Sequence, residues 1–345
     1  MSEVVSKNKV ECSLHNTFSF DKSKENDYEV HYFLWNDPKQ GISMMFRYEL
    51  VKRPSIEDST AAVWGTFWDN NISDNNVGLI QYSPINHLNI SKSKKQIDIG
   101  ESGMTDQKAW GKINNDNIFL EWDFDIDTTN ALPVNRIENL GKTSFLPNFS
   151  SDYCRHKLSG WIKVNGHHYE INHLNASDGH YSNIQNLFSW TWGNCVNFID
   201  EPDFVFEGIS IKYNTWMSPS LCLFFYWEGK LYETSLVDSM FIHKEITSEL
   251  DSWSFVAEKD DFRFECKISA NPEDMILLVH PLPDGNAFYT HITLSADMQI
   301  TISVRKQNDW KKIKTIKAEK TATFEVTKPM KHPLVKREFQ KVIKN

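Results

Sequence analysis

Leu158-Ser-Gly-Trp-Ile-Lys-Val-Asn-Gly-His-His-Tyr169 reads as a β-hairpin closed at Asn165-Gly166. Asn-Gly tolerates positive φ at both central positions of the tight turn that joins two antiparallel strands. On either side the chain repeats the same grammar. Gly41–Leu50 (GISMMFRYEL), Ile118–Ile126 (IFLEWDFDI), Phe204–Tyr213, Leu221–Trp227, Phe262–Ile268, Met275–His280, Tyr289–Leu294 and Gln299–Val304 are short, β-branched or aromatic, and bounded by Gly, Pro, Asn or Asp. Strands at such spacing build sandwiches or barrels. Helical periodicity is confined to Thr247–Leu250 and the terminal Leu334–Ile343.

Length divides this material. At 345 residues the chain exceeds one hydrophobic core, and Asp200-Glu201-Pro202-Asp203 breaks strand pairing. The expectation is an all-β protein of two packed barrels or sandwiches with few short helices. An N-terminal β domain would span 1–200 and a C-terminal β-barrel domain 201–345. Aromatics reach 13%, including 12 Trp and 22 Phe, enough to line both a β core and an apolar pocket.

Charge excludes some functions. Residues 305–345 hold 13 Lys and Arg against 4 Asp and Glu, whereas the whole chain is net −9. Lys306, Lys312, Lys314, Thr321 and Lys328 flank alternating apolar positions, as on the solvated face of edge strands, with no aromatic interleaving for base stacking. Nucleic acid is not an expected partner. No run approaches the roughly 18 apolar residues of a membrane span, and Met1–Asn16 lacks an apolar signal core. The chain is therefore read as cytoplasmic. Cys12, Cys154, Cys195, Cys222 and Cys266 are odd in number and scattered, which suits neither a disulfide framework nor a structural zinc site. Sequons at Asn71, Asn89, Asn148 and Asn175 are read as chance in an Asn-rich chain.

Three clusters could carry chemistry. Glu121, Asp123, Asp125 and Asp127 alternate with Trp122, Phe124 and Ile126, placing four carboxylates on one strand face. Four like charges are costly to bury, so that face is expected in water. His156, His167, His168, His173 and His180 crowd one stretch, but His167 and His168 point to opposite faces, and no metal is expected. The third is Asp178-Gly-His-Tyr-Ser-Asn-Ile-Gln-Asn-Leu-Phe-Ser-Trp-Thr-Trp-Gly193. Here a polar loop bearing His180, Tyr181 and Asn183 precedes a strand with Trp190 and Trp192 on one face. Aromatic plates beside hydrogen-bonding groups give an apolar pocket its orientation. There is no G-x-S-x-G elbow, P-loop, H-E-x-x-H or G-x-G-x-x-G.

Leu158 to Tyr169, Asp178-Gly-His-Tyr181 and Trp190-Thr-Trp-Gly193, in that order and spacing, resemble the superfamily of AttH-like proteins, carotenoid 1,2-hydratases, tocopherol cyclases and lipocalin-like Diels–Alderases. The resemblance implies two calycin-like β domains around an apolar pocket. It also implies cofactor-free, non-redox chemistry on polyene, prenyl or polyketide substrates: hydration, cyclisation or cycloaddition. The family's D-H-x-W-G stands here as Ser182-Asn183-Ile184-Gln185-Asn186, so its Asp-His pair is missing. The expectation is a cofactor-free cyclase or isomerase of an apolar natural-product intermediate. Tyr181, Asn183 and His180 would be catalytic; Trp190, Trp192, Trp122 and Phe124 would bind the substrate. A non-catalytic lipocalin-like binder of an apolar ligand is the alternative, and a carbohydrate-binding platform the third reading.

Overall fold

The computed structural model describes residues 18–24, 26–91, 93–115, 118–133, 148–234, 239 and 243–342. Among these there is no α-helix, only strands and single turns of 3₁₀ helix. The strands are β1 (Asp27–Asp37), β2 (Ile42–Lys52), β3 (Thr60–Asp69), β4 (Val77–Pro84), β5 (Leu88–Ile90), β6 (Gln96–Ile99), β7 (Ser102–Thr105), β8 (Lys108–Asn114), β9 (Phe119–Pro133), β10 (Asn148–Val164) and β11 (His167–Ser182). They continue as β12 (Ser189–Cys195), β13 (Val205–Lys212), β14 (Ser220–Trp227), β15 (Lys230–Thr234), β16 (His243–Ser248), β17 (Ser252–Lys259), β18 (Phe262–Ser269), β19 (Ile276–Pro281), β20 (Ala287–Lys306), β21 (Asp309–Lys328), β22 (Arg337–Glu338) and β23 (Gln340–Val342).

Two curled sheets result. The first runs β23-β4-β3-β2-β1-β11-β10-β9-β8-β7-β6-β5. The second runs β15-β14-β13-β12-β21-β20-β18-β17-β16, with β19 also on β20. The chain changes sheets at 183–188, ahead of the Asp200–Asp203 segment, so β12 already belongs to the second sheet. Asn165-Gly166 turns β10 into β11, with φ of 48° and 89°. Further along that hairpin the register shifts between Leu158 and Gly160. A Cβ on Gly160 would lie 2.1 Å from the Asp123 carbonyl oxygen, so only glycine permits β9 to approach there.

Each sheet closes over its own aromatic core. Phe33, Trp35, Phe46, Tyr48, Trp122, Phe124 and Ile162 fill the first, and Phe206, Phe225, Trp253, Phe255, Phe264 and Phe324 the second. A third cluster joins them: Tyr28, Val30, Tyr32 and Leu34 of β1 and Tyr181 of β11 meet Trp190, Trp192, Ile276, Phe288 and Ile292. Strand alternation makes this possible, since β1 sends odd residues into the first core and even residues to the second sheet. β2 is buried along its whole length for the same reason. An asparagine clamp pins the contact: Asn36 Nδ2 donates to the Asn197 carbonyl at 2.9 Å, and Asn197 Nδ2 returns to the Asn36 carbonyl at 2.7 Å.

Several expectations change. Thr247 and Ser248 are strand, paired with β17. Leu334 sits in a turn, and beyond it β22 and β23 add in parallel to β19 and β4, because open ladder edges outweigh weak helical periodicity; Ile343 lies outside the described residues. β21 is not an edge strand over Thr323–Thr327, where β12 covers it. Thr321 is buried rather than solvated, since a register irregularity between Ala318 and Ala322 changes the alternation there. The β9 carboxylates do face outward, Asp125 and Asp127 exposed and Asp123 paired with Lys108 at 3.1 Å. Cys154, Cys195, Cys222 and Cys266 are buried; Cys12 and Met1–Asn16 lie outside the described residues. No helix among the described residues is long and apolar enough to cross a membrane.

Candidate functional site

The anticipated residues separate onto two faces. His180 and Tyr181 are not in a loop, because β11 continues through Ser182. Tyr181 therefore faces the second sheet, with Trp190 and Trp192 beside it in the inter-sheet cluster, whereas His180 pairs with Asp152 on the other face. Asn183 follows in the left-handed region, φ 56° and ψ 38°, opening the turn that carries the chain between the sheets. Trp122 and Phe124 lie away from this cluster, in the first core, where Trp122 stacks on Phe46 with centroids 5.4 Å apart. Strand parity explains the division.

Between the sheets, the aromatic cluster encloses polar groups that sequence reading missed. Arg47 forms an ion pair with Glu325, both nearly fully buried, and its other nitrogen donates to the Tyr181 hydroxyl at 3.3 Å. Trp190 Nε1 donates to the second Glu325 oxygen at 2.8 Å. Next to this pair, Glu49 Oε2 accepts from the Tyr28 hydroxyl at 3.1 Å and lies 2.8 Å from His280 Nδ1. The His280 ring stacks on Trp64 at 5.4 Å. Among the described residues neither Glu49 Oε1 nor His280 Nε2 has a hydrogen-bond partner.

Burial pushes the Glu49 carboxyl up to about 8, against the opposing pull of Tyr28 and Arg47. Burial and the Arg47 charge hold His280 well below its ordinary value. Together these make a neutral carboxylic acid hydrogen-bonded to a neutral imidazole at physiological pH, a proton donor held in an apolar surround. The Tyr181 and Tyr28 hydroxyls are also pushed up by burial and stay protonated. Half-buried Phe149, Ile209, Tyr213 and Phe339 border the cluster. Farther along the interface, Glu207 collects four donors: the Tyr32 hydroxyl at 2.7 Å, Ser151 Oγ at 2.9 Å, Trp192 Nε1 at 3.1 Å and Asn194 Nδ2 at 2.9 Å.

The opposite face of β1 and β11 holds a second polar network inside the first sheet. Glu29 bonds the His31 Nε2 edge and accepts from Ser19 N and Oγ. His31 and His180 stack at 5.0 Å, and His180 Nδ1 lies 3.1 Å from Asp152. Lys95 forms an ion pair with Asp178 and sits 3.6 Å from Asp152. Burial alone would raise Glu29, but His31, His180 and Ser19 outweigh it and hold the carboxyl at about 2. Burial lowers His156 to about 4, despite Asp178 beside it.

The tocopherol cyclase-like family matches residues 104–328. The chain belongs to the tocopherol cyclase-like family. That match contains Tyr181, Trp190, Glu207, His280 and Glu325, while Arg47 and Glu49 precede it. Among solved structures, the family member resembles a protein assigned as an AttH from Nitrosomonas europaea: 9% identity, TM-score 0.52, covering 88% of this chain and 93% of that one. It is similar also to kievitone hydratase from Nectria haematococca, at 11% identity and TM-score 0.51 over 90% of each chain. These likenesses establish a shared two-sheet fold. No curated protein sequence matches the chain.

Proposed function

We propose that this tocopherol cyclase-like protein is a cofactor-free enzyme that drives cyclisation, isomerisation or hydration of an apolar substrate by protonating it between the two sheets. The carrying observation is Glu49, an uncharged acid buried among Tyr28, Trp64, Tyr181 and Trp190. Proton-initiated chemistry on a double bond needs an acid strong enough to donate and an environment that does not quench the developing cation. A carboxyl near pKa 8 retains its proton at pH 7, and aromatic faces stabilise positive charge. Tyr28 and His280 orient Glu49, and the proton released when the cation is captured by a hydroxyl or water, or loses a neighbouring proton, returns to it. Trp190 and Trp192 hold the hydrocarbon, and Tyr181, tied to Arg47, polarises a substrate oxygen.

The same cluster could supply an entropy trap of roughly 7–11 kcal/mol by fixing one conformer of a flexible polyene, prenyl or polyketide chain. His180 has no part in this reading, because it faces the other side of β11. Asn183 could still contribute a donor from the turn, as its position borders the cluster.

The experiment is turnover of a panel of prenylated phenols, linear polyenes and polyketides in deuterated water. Wild-type protein should yield a cyclised or hydrated product carrying deuterium at the protonated carbon, at a rate that falls as pH rises through about 8. Glu49→Gln should lower the rate by about 10²–10⁴-fold while keeping the fold. Full activity in Glu49→Gln, or a product without deuterium, would sink the acid role. The missing Asp-His pair favours the non-catalytic binder instead, and tight binding without product from any substrate would select that reading.

A further inference from the structure

The network inside the first sheet has no part in the proposed chemistry, yet its composition is not that of an ordinary core. One ligand-type atom from each of His31, Asp152 and His180 lies within 4.8 Å of the other two, and all three residues are buried. His31 Nε2 is engaged by Glu29, while His31 Nδ1, fully buried, has no hydrogen-bond partner among the described residues. A carboxylate on the far nitrogen of an imidazole is the arrangement that fixes a metal-ligating histidine.

Charge points the same way. Glu29, Asp152 and Asp178 bring three buried carboxylates to the side of the two stacked imidazoles, with Lys95 against Asp178 and Asp152, a surround that attracts a divalent cation.

We infer that His31, Asp152 and His180 form a binding site for a first-row divalent metal ion, with Glu29 orienting His31 from behind. Two imidazoles and one carboxylate suit zinc, cobalt, manganese or iron(II), and leave coordination positions for water. Lys95 opposes a second cation beside Asp152 and so tempers the affinity. The site stands on the opposite face of β1 and β11 from Glu49 and is independent of the reaction proposed there.

The test strips the full-length protein with chelator and titrates it with Co²⁺, then displaces cobalt with Zn²⁺. One equivalent should bind, with visible d–d absorption of low-coordinate cobalt, and saturating metal should raise the melting temperature. His31→Gln, His180→Gln and Asp152→Asn should each abolish the absorption. Glu29→Gln should weaken binding by about 10–100-fold, Lys95→Met should tighten it several-fold, and exposed His168→Gln and inter-sheet Glu49→Gln should leave it unchanged. Where a ligand variant fails to fold, the wild-type melting shift and the Lys95→Met affinity decide instead. Stripped wild-type protein with no cobalt band and no melting shift would overturn the site, as would a band that survives His31→Gln and His180→Gln.

Discussion

Tyr181 and His180 are neighbours in sequence but inhabit different chemistry. The inter-sheet face of β1, β2 and β11 carries the buried ion pair of Arg47 with Glu325 beside Glu49, His280, Tyr28 and Tyr181, all held among aromatics. The inner face carries Glu29, Asp152, Asp178 and Lys95, a dense set of ionisable groups around His31, His156 and His180. The first suits proton donation to an apolar molecule; the second suits holding charge in place. A single strand can serve both because its side chains alternate.

The sharpest way to break this comparison is to unpair the inter-sheet ions. Arg47→Met leaves the Glu325 carboxylate buried with, among the described residues, Trp190 Nε1 and Thr327 Oγ1 as its remaining side-chain donors. We expect a loss of about 3–5 kcal/mol in urea unfolding. The double variant Arg47→Met, Glu325→Leu should recover most of it, since desolvation outweighs attraction for a pair this deep. If Arg47→Met alone is neutral, Glu325 is reaching water and the inter-sheet face is not the dry environment described.

Opposite pH slopes come next. Glu49 sits above its ordinary 4.5, at about 8. The folded state then holds a proton that the unfolded chain releases between those values, so stability from this group is full below about 4.5 and declines until about 8. His156 is lowered from 6.5 to about 4. The unfolded chain takes a proton there that the folded chain refuses, so stability is lost as pH falls from 6.5 towards 4. Glu29, held at about 2, extends that acid loss below its ordinary 4.5. Stability curves measured by denaturant from pH 4 to 9 should therefore show Glu49→Gln flattening the alkaline limb and His156→Gln the acid limb between 6.5 and 4. Exchanged effects would mean that the two faces have been assigned the wrong way round.

The fold was legible because its signals are local: Asn165-Gly166 for the hairpin, aromatic and β-branched runs for the strands, and alternation in Glu121–Asp127. The inter-sheet tryptophans were legible for the same reason, since Trp190 and Trp192 are two apart. Arg47 and Glu49 were not, although both stand in the strand Gly41–Leu50. In an isolated strand, polar residues two apart signal a solvent face, and only the second sheet turns that face inward. Their partners Glu325 and His280 arrive from 278 and 231 residues away, a distance no periodicity spans. His31 and Asp152 were missed for the same reason, joined to His180 only by strand pairing.

A finer comparison separates the two tryptophans. Trp190→Phe removes a donor from a charged carboxylate that has few others, and should destabilise by about 1.5–3 kcal/mol. Trp192→Phe removes one donor of four from Glu207 and should have the smaller effect in the same unfolding assay. Equal losses would show that ring packing, not the indole N–H, dominates at both positions.

The smallest effect distinguishes a turn from a site. Asn183 occupies the left-handed region where the chain leaves the first sheet, a conformation that Gly and Asn accept and Ala resists. If the residue serves only that turn, Asn183→Gly should be nearly neutral in stability and turnover, and Asn183→Ala should lose about 1 kcal/mol of stability with turnover unchanged. If its amide also donates to the substrate, both variants should lose turnover to a similar extent, because both lack the amide, while only the alanine variant melts earlier. Measuring rate and melting temperature on the same two proteins therefore assigns Asn183 to the backbone or to the chemistry, and the glycine variant decides, since it removes the side chain without straining the turn.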